Sequence, residues 1–136
     1  MWRARVKFYN RASMAFVLAS ASPRRRALLD AAGFEFRIHA SHLEPLPRHG
    51  EPPAAFARRA ARVKALNVAS RVPAGTMVLG ADTIVVQGRE ILGKPSGAED
   101  AARMLRRLSG KTHRVVTGVL KWGACEKGCP WFSGLF

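Results

Sequence analysis

One run of ten residues, MVLGADTIVV at 77–86, narrows the folds open to this chain more than any other feature. Its aliphatic and β-branched content makes it a strand, and the lack of polar alternation makes it a buried one. A single charge, Asp82, interrupts it. An ionised carboxylate in such a strand needs compensation from a metal ion, a lysine or an arginine. A bulge or turn carboxylate is the plainer explanation, because Gly80-Ala81 precedes it. The run alone does not choose between the two.

The flanking sequence supplies helices and further strands. AFVLA at 15–19 is a short apolar strand broken by Ser20-Ala21-Ser22-Pro23. Ser22 suits an N-cap, Pro23 the first helical position and Gly33 the left-handed close of the helix. Leu28, Leu29 and Ala32 give that helix an apolar side. Residues 34–40 read as a strand with Phe34, Phe36 and Ile38 on one face. A Pro-, His- and Gly-rich loop covers 41–53. A long helix follows to Ser70, with Phe56, Ala60, Val63 and Leu66 near helical spacing, and Val72-Pro73-Ala74-Gly75 ends it. Gln87-Gly88-Arg89 turns the buried strand back into a hairpin through Glu90-Ile91-Leu92. Ser96-Gly97-Ala98-Glu99 has the form of a capping box opening a helix with Ala101, Ala102, Leu105 and Leu108 along one side. HRVVTGVL at 113–120 is a further strand, and the residues after Leu120 show no period that would place them on a regular element. Strands alternating with helices indicate an α/β fold with a mixed twisted sheet.

Charge bears on function. Among 136 residues, 23 Lys+Arg against 9 Asp+Glu leave a formal charge of +14, which draws polyanions: nucleic acid, anionic membrane or phosphorylated small molecules. No apolar run approaches the roughly 20 residues of a membrane span, so no membrane association is expected. Two cysteines, Cys125 and Cys129, rule out a disulfide-rich scaffold and make a weak zinc pattern, which leaves a cytoplasmic setting as the expectation. There is no P-loop and no G-x-G-x-x-G.

The candidate chemistry lies in four places. Ser22-Pro23-Arg24-Arg25-Arg26 puts guanidinium groups at a helix N-terminus, where they oppose the helix dipole unless an anion lies between. A solvated basic turn is the alternative. Asp82 would hold a divalent cation or take a proton from water. Lys64, on a face of small residues, either snorkels to water or points into a cleft. Lys94 sits in Leu92-Gly93-Lys94-Pro95, a tight loop open to close approach by a ligand. His113 reads as structural rather than catalytic, and His39, His42 and His49 show no ligand pattern.

These segments together resemble the Maf family of nucleoside triphosphate pyrophosphatases. The matching stretches are LASASPRR (18–25), ARVKA (61–65), GADTIV (80–85), LGKP (92–95) and LSGKTHRVVTGV (108–119), in family order. The resemblance implies an elongated two-lobed fold, related to inosine triphosphatases, with a cleft between the lobes. It implies hydrolysis of a nucleoside triphosphate to the monophosphate and pyrophosphate with a divalent cation, Mg or Mn. It makes Asp82 the proton acceptor and Ser22, Arg24, Arg25, Lys64, Thr83 and Lys94 substrate-binding residues. Arg24 and Thr83 fit the dTTP/UTP branch. No stable nucleic-acid partner is implied, and a homodimer is left open.

Two departures accompany the resemblance. Glu44 falls one place early for the family's glutamate after the second strand, which puts its role in doubt. Beyond Leu120 the family's pattern stops. The division expected is therefore a basic extension at 1–13, before Met14, a domain at 14–120, and a non-matching tail at 121–136. An incomplete sheet would leave edges unpaired, so poor stability or activity is expected. A small basic nucleic-acid-binding protein and an inactive fragment of the enzyme stay open beside the pyrophosphatase.

Overall fold

The computed structural model describes residues 15–123 and 133–135. The expectations for residues 1–13 and for Cys125 and Cys129 lie outside them. In chain order the elements are β1 (Phe16–Leu18), α1 (Pro23–Ala31), β2 (Phe36–Ile38), α2 (Pro53–Ala69), β3 (Val78–Gln87), β4 (Glu90–Leu92), α3 (Ala98–Leu108), β5 (Arg114–Trp122) and β6 (Ser133–Leu135). The strands form one mixed sheet of order β2-β1-β3-β5-β6, with β4 paired to β3. β1 runs parallel to β2 and β3, and the other pairings are antiparallel.

Helix α2 lies flat against β3 and β5 because both surfaces are nearly bare. Ala57, Ala60, Ala61 and Ala65 are fully buried on it. Opposite them stand Gly80 and Gly118. A Cβ at Gly80 would run into the Ala61 carbonyl and come within 2.7 Å of the Ala65 Cβ, and one at Gly118 would strike the Ala57 carbonyl. Two apolar clusters hold the contact. Val17, Ala19, Val68, Val78 and Leu120 gather around Ala61 and Ala65, while Phe56, Ile84 and Val86 gather around Ala57 and Ala60.

The register of β3 creates a gap. β5 borders it from Val78 to Val86. On the other edge β1 reaches only Val78 and Leu79, and β4 begins at Val85. Among the described residues, 80–84 thus have no strand on that edge, and α1 starts beside it, at the end of β1.

Several local expectations need correction. The second strand covers 36–38 rather than 34–40; Phe34 lies outside it, half-exposed, with its ring edge-on to Phe16 at 6.0 Å. The Ser96–Glu99 capping box does not form. Gly97 is the N-cap without a side-chain bond, and Asp100 Oδ2 instead accepts from the Ser96 amide at 3.0 Å. Asp100 reaches back because it also anchors Arg103. The apolar sides of α1 and α3 are not buried: Leu28 and Leu105 are 69% and 67% exposed. Past Leu120 the chain stays in the sheet, since Lys121 and Trp122 pair with Leu79 and Val78, and β6 pairs with Gly118–Leu120.

Candidate active site

Alternation along β3 turns Val78, Gly80, Asp82, Ile84 and Val86 toward α2. The Asp82 carboxylate therefore meets the helix that packs there, at the height of Lys64. Lys64 is 8% exposed, and its ammonium donates to Asp82 Oδ1 at 2.6 Å and to Glu44 Oε2 at 3.2 Å. Of the two orientations open to Lys64, the structure has the inward one. Asp82 is not a turn carboxylate but the partner that a buried lysine requires. Asp82 Oδ2 accepts no hydrogen bond among the described residues, so one oxygen is held and the other left open.

Glu44 extends the cluster. It arrives on the loop after β2, and its Oε1 lies 3.2 Å from the Lys94 ammonium. Burial alone would raise its carboxyl, but hydrogen bonds from Lys94 and Lys64, with their charges, outweigh that and hold it below the ordinary glutamate range.

Thr83 points the other way from Asp82, and a second polar group forms around it. Arg25 Nη2 donates to Thr83 Oγ1 at 2.8 Å, Arg25 Nη1 to Ser20 Oγ at 2.9 Å, and Thr83 Oγ1 lies 3.0 Å from Thr117 Oγ1 on the paired strand. Burial lowers the Arg25 guanidinium from its ordinary value; the Asp82 charge works against this, Arg24 adds to it, and Glu44 opposes it. Arg25 and Asp82 thus feel each other across the gap without touching. Ser22 caps α1, its Oγ accepting from the Arg25 amide at 3.5 Å. Its own amide donates to Ser20 Oγ at 3.2 Å.

The structure so brings Lys64 together with Asp82 and, through Glu44, with Lys94, and separately joins Ser22, Arg25 and Thr83. Arg24 is exposed on the first turn of α1 and makes no hydrogen bond or ion pair among the described residues. Sequence reasoning passed over Ser20 and Thr117. Ser20 is 7% exposed, a buried hydroxyl just past a strand end, and Thr117 follows once Thr83 is paired across the ladder.

Among the described residues no three His, Cys, Asp or Glu side chains are placed to hold a metal ion. Hard cations bound with phosphates typically need only one or two carboxylates, because phosphate and water oxygens complete the shell. The open oxygen of Asp82 fits a cation that arrives with its ligand rather than a resident one. Lys64 is bonded to the same carboxylate and the Arg25 charge acts on it from across the gap, so positive charge lies on more than one side of Asp82.

Comparison with known proteins gives the chain a family and relatives. The family model "Maf-like protein" matches residues 15–128. A dTTP/UTP pyrophosphatase of Geobacter sulfurreducens is 56% identical over 102 residues, covering 75% of this chain and 53% of that protein. The dTTP/UTP pyrophosphatase of Myxococcus xanthus is 52% identical over 111 residues, covering 82% of this chain and 56% of its own length. This chain spans about half the length of the curated relatives it matches.

Proposed function

Because the chain belongs to the Maf family, we propose that its site takes a nucleoside triphosphate and releases the monophosphate and pyrophosphate. The substrate class proposed is dTTP and UTP, the nucleotides in the relatives' names. The single observation that carries the reading is a carboxylate, Asp82, held through one oxygen by a buried lysine while the other accepts no hydrogen bond among the described residues.

In this mechanism water attacks the α-phosphorus, Asp82 takes its proton, and the bond from that phosphorus to the bridging oxygen breaks. Lys64 fixes the carboxylate so that its open oxygen faces the water. Lys94 and Arg24, both exposed, receive the β- and γ-phosphates, and the amides at the start of α1 add to their pull. Arg25, pinned by Ser20 and Thr83, keeps its charge at the gap as negative charge moves onto the leaving group. A divalent cation, Mg²⁺ or Mn²⁺, bound with the triphosphate beside Asp82, would supply further neutralisation of phosphate oxygens. No described helix is long and apolar enough to cross a membrane, and the cytoplasm is the proposed location.

Pyrophosphate release from dTTP and UTP tests the reading. Asp82→Asn should lower kcat by about 10²–10⁴ while the circular dichroism spectrum holds. Release by the wild-type chain no faster than buffer, or an Asn variant as fast as wild type, would overturn it.

A further inference from the structure

Lys64 and Asn67 lie one turn apart on α2, and Arg71 follows a turn later, just past the C-cap Ser70. All three grip the same stretch of chain, residues 39–44. Lys64 takes Glu44. Asn67 Oδ1 accepts from Ser41 Oγ and from the His42 amide, each at 3.2 Å. Arg71 Nη2 donates to the Ala40 carbonyl at 3.1 Å and to Asn67 Oδ1 at 2.8 Å. Arg71 Nη1 lies 3.2 Å from His39 Nε2 and 2.9 Å from His42 Nε2. The Arg71 Nε–H, donated to the Asn67 carbonyl at 3.0 Å, fixes the plane of the guanidinium.

A guanidinium has no lone pair to offer, so both Nε2 atoms must be bare acceptors and both rings must carry their proton on Nδ1. The two hydrogens of Nη1 are then used, one on each imidazole. Protonating either ring removes an acceptor and sets a second cation against Arg71. Among the described residues the charged group bonded to either ring is Arg71, from the end of α2. Among the described residues no carboxylate lies within ion-pairing distance of either ring, and Glu44 is committed to Lys64 and Lys94.

We propose that Arg71 is a positioning residue that holds the 39–44 loop, and with it Glu44, against α2 only while His39 and His42 are neutral. When either imidazole gains its proton, the clamp loses an acceptor and opens, and Glu44 loses its fixed place between Lys64 and Lys94. The sign follows from the neutral form being the bonded one: the clamp is present at high pH and lost as pH falls. Its effect on turnover rests on the pyrophosphatase reading above; the clamp itself does not.

Hydrogen exchange of the full chain reads the clamp directly through the His42 amide, with the α2 amides as the internal control. After correction for intrinsic exchange, protection of the His42 amide should fall at least about tenfold between pH 7.5 and 5.5 while α2 holds. In His39→Gln/His42→Gln, whose amide oxygens accept without titrating, it should stay constant. In Arg71→Met it should be low at both pH values. Flat protection in wild type, or an equal fall in the glutamine variant, overturns the inference. A second arm compares kcat/KM for dTTP at the two pH values, taken as the ratio of wild type to the glutamine variant so that titration of the substrate cancels. That ratio should fall about tenfold in acid. Absence of turnover in every variant would fault the pyrophosphatase reading, and the exchange data would still decide the clamp.

Discussion

Replacing Lys64 with Met removes the ammonium and keeps most of the packing of its stem. Two carboxylates lose their partner, but unequally. The Glu44 side chain is 62% exposed and still has Lys94, so its loss amounts to about 0–1 kcal/mol. Asp82 is 16% exposed and its held oxygen would face the apolar side of α2. Stranding one member of a buried pair costs about 3–5 kcal/mol, and the residual exposure puts Asp82 near the lower end, about 3 kcal/mol. At about 4 °C per kcal/mol, the melting temperature of the Met variant should drop by about 12 °C. The pair as a whole is a different matter, because an apolar pair of similar volume in such a place is often neutral or stabilising. Lys64→Met/Asp82→Leu should therefore recover most of the stability while pyrophosphate release stays lost. Thermal unfolding of wild type, the Met variant, Asp82→Leu and the double variant completes a cycle. A Met variant within about 1 kcal/mol of wild type, or a double variant equal to the sum of its parts, would refute the reasoning.

Gly118→Ala should destabilise by about 3 kcal/mol or more, because the new methyl meets the Ala57 backbone rather than a movable side chain, as denaturant unfolding would report. Ser20→Ala removes a buried acceptor shared by the Ser22 amide and Arg25, so it should cost about 1–3 kcal/mol by the same measurement and loosen the Arg25 side chain in NMR relaxation. Glu51 accepts from Arg59 Nε and Nη2, each at 2.7 Å, and from the Arg48 amide, and these bonds hold its carboxyl at about 2 against an ordinary 4.5. A depressed carboxyl stabilises the fold above its unfolded value. The stability gap between wild type and Glu51→Gln should thus be constant well above pH 4.5 and shrink as pH falls through 4.5 toward 2. A gap that does not change with pH would show that the Arg59 pair is absent in solution.

What the sequence exposed, and what it hid, follows from the range of the interactions involved. Ser22 at the N-cap, Pro23 behind it and Gly33 with φ 76° stand where local rules put them, because each is set by the backbone within a turn of itself. The long helix and the hairpin through Gly88 follow for the same reason. The capping box at Ser96 was misleading because two acids in one turn compete for the same amide. Asp100, already held by Arg103, wins it from Glu99. Lys64 could not be oriented from its own helix, since only the register of β3 decides that Asp82 rather than Thr83 faces it. Ser20 and Thr117 were missed because a hydroxyl shows its use only through a partner far along the chain. Glu44 shows the limit most sharply. Counting positions along a loop predicts little, because a loop reaches its end by whatever path its anchors allow. Here those anchors are His39, Ser41 and His42, residues without any motif of their own. The placing of an acid in the site therefore depends on Asn67 and Arg71, two side chains that lie outside every recognisable stretch. Substituting either should disturb Glu44 more than conservative changes nearer to it in the loop.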